Sequence, residues 1–202
     1  MKLVIMTKST FFVEEDKILT ALFDEGMDNL HLFKPDSSPL FSERLLTLLS
    51  DEECRKITVH EHYYLKSEYR LAGIHIDQMD AEAPKGYRGH ISRSCTNIAR
   101  LKEMKKKANY VFLQNIFNSK LIPSQQSTFT MSQLEEAASR GLIDRKVYAL
   151  GGMDIDAIRT ARELGFGGVV ISDDLWDRFD IHNETDFKPL LNEFVRLRRA
   201  VG

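Results

Sequence analysis

Cysteine is nearly absent from the chain: Cys54 and Cys95 are the only two among 202 residues. Two isolated thiols build neither a disulfide framework nor a metal knuckle, and they point to a reducing compartment. Long apolar runs are missing as well. Nothing approaches the roughly eighteen residues of a membrane span, and the opening MKLVIMTKST breaks at Thr7 and Lys8, short of a signal-peptide core. The expectation is a cytoplasmic protein with no membrane partner. Nor is there an excess of one charge: 28 basic against 30 acidic residues leave a formal net charge of -2. No global field draws in nucleic acid. The one basic cluster, KEMKKK at 102–107, shares a window with Ile98, Leu101 and Met104, three apart, and reads as a solvated helix face. Association into a homo-oligomer is left open.

The chain does contain short apolar runs rich in β-branched and aromatic residues. These are KLVIM (2–6), NLHLF (29–33), KITVHE (56–61), GIHI (73–76), GHISRS (89–94), YVFLQ (110–114), KVYAL (146–150) and GVVIS (168–172). Helical windows lie between them: EEDKILTALFDEG, PLFSERLLTLLS, NIARLKEMKKK, MSQLEEAASRG and DIDAIRTARELG. Strands alternating with helices predict a parallel sheet with helical crossovers, and eight such units predict its closure. The fold expected is a single compact (β/α)8 TIM barrel over 1–202, near the small end for that architecture; an open doubly wound sheet is the alternative. Only DQMDAEAPKGYR joins strands four and five, so that crossover helix is reduced or missing.

Such a barrel builds its site from loops at the C-terminal strand ends, commonly with phosphate held after strands seven and eight. Gly151 and Gly152 end strand seven, with Asp154 placed to cap the next helix. Glycines there either admit an anion or simply make a tight turn. After strand eight, Ser172 suits a phosphate oxygen, whereas Asp173 and Asp174 repel one unless a carboxylate turns away. Strand two ends in His31, Phe33 and Lys34, strand three in His60, Glu61 and His62, and strand four in His75, Asp77 and Asp80. Glu61 and Asp80 at neighbouring strand ends form a set that Mg2+ bound to a diphosphate could use. His75, inside an apolar strand, reads as a hydrogen-bonded core histidine, and HEH at 60–62 lacks a third zinc ligand. Residues 118–129 form the longest polar insertion, a lid candidate or a mobile connection.

Several of these stretches together resemble the thiamine phosphate synthase and thiazole tautomerase family. LHLFKPD resembles its second-strand motif, a Gln or His followed by Arg and Lys. TVHEHYYLKSEYRLAGIHIDQMD resembles its "ND…A…G(A)DGVHLGQxD" run, and SRSCTN its "GxSxH" segment. ANYVFLQNIFNSK resembles "ADYVxxGPVFxTxTK", while VYALGGMD and GFGGVVISDDLW resemble its phosphate-side strands. The resemblance implies a transferase that joins hydroxymethylpyrimidine diphosphate to thiazole phosphate with Mg2+ assistance, its partners being phosphorylated thiamine precursors. It also implies residue roles: Glu61 and Asp80 on the metal, Ser94, Ser119 and Lys120 on the diphosphate, and Gly151 and Gly152 on the thiazole phosphate. His31, Lys34 and Lys120 are the catalytic candidates, and His60, Asn115 and Ser172 join the substrate-binding set.

The departures are specific. His31 stands for Gln, Phe33 for an arginine, His60 for an asparagine, and Asn115 interrupts the "GP" turn. Thr96 replaces a tautomerase histidine and cannot shuttle a proton near neutral pH. Losing the arginine removes a bidentate donor unless Lys34 or Lys120 compensates. Two other readings follow from these changes: a thiazole tautomerase-like isomerase using His31 or His60, and a non-catalytic relative that binds a precursor phosphate.

Overall fold

The computed structural model describes residues 1–178, 180 and 186–202. Eight parallel strands close into a barrel in sequence order: β1 (Lys2–Met6), β2 (Leu30–Leu32), β3 (Ile57–Val59), β4 (Gly73–Ile76), β5 (His90–Cys95), β6 (Tyr110–Gln114), β7 (Val147–Leu150) and β8 (Gly168–Ile171). The seam closes where Lys2 pairs with Gly168 and Ile5 with Ile171. Alternation along each strand sorts its side chains. Leu3, Ile5, Leu30, Leu32, Ile57, Val59 and Ile74 join the core shared with the helices, whereas Val4, Tyr110, Phe112, Tyr148 and Val170 form a separate cluster inside the barrel. His31, Thr58, His75, Ser92 and Ser94 are buried too. Their parity places them in that same interior, where barrels are usually filled by branched aliphatics.

The helices begin where their caps dictate. Ser38 accepts from Leu40 N–H ahead of Pro39 at the start of α2 (Pro39–Thr47). Capping boxes open α3 (Asp51–Cys54) and α6 (Met131–Ser139), and Asp154 caps α7 (Ile155–Glu163). The remaining helices are α1 (Glu15–Asp24), α4 (Leu65–Glu68), α5 (Leu101–Lys106), α8 (Asp173–Trp176) and α9 (Lys188–Val201). Leu190, Phe194, Leu197 and Val201 line one face of α9, which packs on β1, α1, α7 and α8.

No helix crosses between β4 and β5, as the sequence predicts. The connection covers Arg93, whose parity on β5 is opposite to that of Ser92 and Ser94. Arg93 is buried and donates from Nη1 to the Ala81 carbonyl at 2.8 Å, while its Nε has no partner among the described residues. Among the described residues, no helix is long and apolar enough to cross a membrane.

Candidate functional site

Above β6, β7 and β8 lies a cavity of about 250 Å³. Gln114, Asn115, Ser119, Lys120, Gly151, Gly152 and Ser172 line it, with Asp173 and Asp174. Both glycines have left-handed backbones, with φ of 106° and 61°. A Cβ on Gly151 would lie 2.9 Å from Asn115 Cα, and one on Gly152 would lie 2.6 Å from the Asn118 and Phe117 carbonyl oxygens. The packed loop after β6 therefore requires both glycines whatever binds above them. Among the described residues, their N–H groups donate to no backbone acceptor. The two glycines line the cavity beside the capped start of α7, where Ala157 N–H meets Asp154 Oδ1 at 2.8 Å.

Lys120 reaches this cavity already paired, 2.6 Å from Asp154 and 3.0 Å from Asp156. Hydrogen bonds to the two carboxylates hold its ammonium well above the ordinary lysine range. Ser119 Oγ accepts from Leu121 and Ile122 N–H within its own loop. Of the two aspartates after β8, Asp174 turns to Arg178, 2.9 Å away. Asp173 stays at the cavity, its carboxyl pushed up first by burial and then by the charge of Asp177. Asp174 is thus paired with a cation, and Asp173 is the carboxylate a bound phosphate would meet.

Beneath the mouth, the interior side chains form a continuous polar chain. His60 Nδ1 lies 3.0 Å from an Asp77 oxygen, His60 Nε2 lies 2.9 Å from His31 Nδ1, and His31 Nε2 lies 2.7 Å from the Tyr110 hydroxyl. His75 spans Ser92 at 2.7 Å and Ser94 at 2.9 Å, and Gln114 Nε2 donates to Ser94 Oγ at 2.6 Å. Burial, with the charge of His60 second, drives His31 and His75 far below the ordinary imidazole range. One nitrogen from each of His31, His60 and His75 falls within a 4.8 Å cluster. The cluster does not have the form of a metal centre. His60 and His75 stack with centroids 4.2 Å apart and planes 21° apart, so their in-plane lone pairs run side by side instead of converging.

The rim residues divide differently from the sequence expectation. Glu61 Oε2 accepts from Lys34 N–H at 3.0 Å; burial and, more weakly, Asp77 push its carboxyl up, while the Lys34 N–H and His60 pull it down. Asp80 is 85% exposed and held by Arg100 at 2.7 Å. Lys34 does not reach the mouth, a correction to its catalytic assignment: its ammonium is buried 2.6 Å from Glu15, bonded to the Thr10 carbonyl and lying over the Phe11 ring. His31, His60 and Ser94 are buried within the interior network, whereas Asn115, Ser119, Lys120, Gly151, Gly152 and Ser172 meet at the cavity. Asp77, Gln114 and Tyr110 complete the arrangement; Asp77 was expected at the end of strand four but with no role, and Gln114 and Tyr110 were not among the expected site residues. Strand parity was the available signal, since Asp77 follows His75 by two.

Residues 43–175 match the family model described as thiamine monophosphate synthase. Among solved structures, a thiamine phosphate pyrophosphorylase from Bacteroides thetaiotaomicron is 42% identical, with TM-score 0.90 over 99% of this chain and 97% of that one. A thiamine phosphate pyrophosphorylase from Pyrococcus furiosus, at 15% identity and TM-score 0.73 over 99% and 95%, shares the fold. So does a 3-hexulose-6-phosphate synthase from Salmonella typhimurium, at 11% identity and TM-score 0.62 over 100% and 98%. No curated protein matches the chain. With well over half of its length on the family model and a full-length relative at that identity, the chain belongs to the thiamine monophosphate synthase family.

Proposed function

We propose that this chain is a thiamine phosphate synthase-type transferase, joining hydroxymethylpyrimidine diphosphate to thiazole phosphate with release of pyrophosphate. The cavity over β6 to β8 carries this reading: two glycines, two serines and a lysine line one opening. The name of the 42% identical Bacteroides protein points the same way. In this reading Gly151, Gly152 and Ser172 hold the thiazole phosphate, while Ser119 and Lys120 turn to the diphosphate once Lys120 leaves Asp154 and Asp156. Phe33, with its ring edge-on to His60 at 5.2 Å, stands where the family motif has an arginine. It offers a ring face to a pyrimidine cation that an arginine would repel. Water is kept out by the 118–129 loop, whose neck is tied where Ser127 Oγ meets the Ile116 and Phe129 carbonyls.

Glu61 and Asp80 would hold Mg2+. Their hard oxygens suit it; the Glu61 carboxyl, crowded by burial and Asp77, gains from a cation, whereas Asp80 must first leave Arg100. When bound, the metal neutralises the departing diphosphate. The two cysteines are buried and unpaired, in keeping with a reducing cytoplasm.

The test is purified protein with both precursors, with and without Mg2+. Thiamine phosphate formed only with the metal is expected, and no product from both substrates refutes the reading. One observation favours an isomerase instead: the imidazole chain ending at Asp77. Turnover that survives chelation but is lost in both His31→Ala and His60→Ala would select it.

A further inference from the structure

Apolar side chains scattered singly over a surface need no explanation, but a group of them does. Seven large apolar residues are exposed among the described residues, and four of these, Leu40, Phe41, Leu48 and Tyr64, lie along α2 and its C-terminal cap or touch it. Tyr64 joins through its hydroxyl, which donates to Glu43 Oε1 at 2.6 Å. The half-buried Phe11 ring extends the group from the β1–α1 loop, 5.7 Å from the Phe41 ring. Helix α2 already has an inward stripe: Leu45, Leu46 and Leu49 enter the core, with Ser42 buried beside them. At about 100° per residue, Leu40, Arg44 and Leu48 form a row on the opposite face, flanked by Phe41 on one side and by Glu43 and Thr47 on the other. Leu40, Phe41, Leu48 and Tyr64 are 62%, 50%, 64% and 48% exposed. Together they present on the order of 450 Å² to water, the size at which a surface patch is commonly functional. Glu43, Arg44, Thr47 and Phe11 fall within the same outline and bring the face toward the roughly 800 Å² that each partner buries in a specific complex.

We propose that this face is the interface of a homodimer, in which α2 packs antiparallel against α2 of a second copy across a two-fold axis beside Arg44. Two observations choose that occupant. The central row reads the same in both directions: apolar, charged, apolar. A two-fold contact must be self-complementary, residue i meeting j and j meeting i, so Leu40 of each copy meets Leu48 of the other. The charges at its centre are of opposite sign and uncompensated. Among the described residues, the Arg44 guanidinium has no partner and Glu43 has no cationic one. Adjacent helix positions do not face each other, which keeps Glu43 and Arg44 from pairing within one copy. Across the axis, each Arg44 reaches the Glu43 of the other copy. An anionic membrane would instead call for basic residues alone around the apolar row. The α2 face lies on the β2–β3 side of the barrel, across from the cavity above β6 to β8, so its role stands apart from what that cavity binds.

Sedimentation equilibrium of the full chain between about 1 and 100 μM should give twice the 23.3 kDa of one chain at the upper end. A mass of one chain throughout overturns the proposal. Leu48→Lys, a change at an exposed position, should weaken association at least about tenfold while the far-UV circular dichroism stays that of the wild type. A dimer of undiminished strength places the contact elsewhere and also overturns it. The charges supply a test that misfolding cannot imitate. Glu43→Arg and Arg44→Glu each set like charges against one another at the axis, so each variant alone should sediment as a monomer. Mixed in equal amounts, the two regain both cross-pairs and should form a heterodimer; the double variant, carrying both changes in one chain, should dimerise by itself. Single variants that associate as strongly as the wild type, or a mixture that stays monomeric, refute antiparallel α2 pairing.

Discussion

Replacing Lys34 by methionine should cost about 3–5 kcal/mol of stability, because it strands a carboxylate in the interior. Lys34 and Glu15 meet at 2.6 Å with side chains only 1% and 2% exposed. The ammonium is also held by the Thr10 carbonyl at 2.9 Å and lies 4.5 Å from the Phe11 ring centroid. Among the described residues, Glu15 Oε2 has no partner even in the wild type. Burial already pushes the Glu15 carboxyl up against the pull of Lys34, so without the lysine it escapes part of the penalty by taking a proton. Its folded value then lies further above the unfolded one. A raised carboxyl favours the folded state below the ordinary carboxylate range, and that advantage is lost as pH rises through the folded value. The variant should therefore approach wild type in acid and fall furthest behind near neutrality. For a chain of this length the loss corresponds to a Tm lower by about 6–20 °C. Adding Glu15→Leu should restore stability to within about 1 kcal/mol of wild type, since well-packed apolar pairs replace buried ion pairs without loss. Urea and thermal denaturation of the two single variants and the double variant complete the cycle. A Lys34→Met loss under about 1 kcal/mol, or a double variant no better than the single, would put the ammonium in water and return Lys34 to the mouth.

Asp173→Asn should tighten binding of thiazole phosphate about fivefold by calorimetry. This is the roughly 1 kcal/mol of repulsion between unit charges about 4 Å apart in water, and unchanged affinity would show that Asp173 does not face the anion. Gly152→Ala forces an alanine into φ 61° and its Cβ against two carbonyl oxygens, so about 1–3 kcal/mol of stability should be lost on urea denaturation, with displacement of the 115–118 segment visible in amide shifts. Asp156→Asn loosens one of the two carboxylates on Lys120. Affinity for phosphate-bearing precursors should rise with little change in Tm, and a fall would mean that Asp156 itself binds ligand.

Most strands were legible because a parallel barrel buries both faces of a strand, turning it into a short, largely apolar run such as VYAL or GVVI, whereas HISRSC of β5 carries polar residues into the interior. The missing crossover was equally plain, since DQMDAEAPKGYR carries no apolar period. Helices α3, α4 and α8 have four residues each, too few for a period to register. α9 carries a clear stripe and supplies the long helix that the eighth strand-helix unit calls for. In the site, the glycine handover could be read because φ above zero leaves a mark on residue type. Partner choice could not. Nothing in the local sequence says that Lys34 will meet a glutamate nineteen residues earlier, or that Asp80 will face Arg100. His75 was readable as a core histidine; that His31 and His60 join it required knowing which strand ends lie opposite one another.

The wall between β4 and β5 has a tether where its neighbours have a helix. At its tip Gly86 has open space around it, beside the exposed Lys85 and Arg88; a Tyr87-to-Pro84 turn, the Tyr87 hydroxyl on the His90 carbonyl and the Lys107–Glu82 ion pair fasten the segment on either side. A trypsin-like protease should nick the folded molecule there first and leave two fragments that travel as one. New chain ends placed at the same spot, with the old ones joined, would yield a rearranged gene whose product still closes its cylinder.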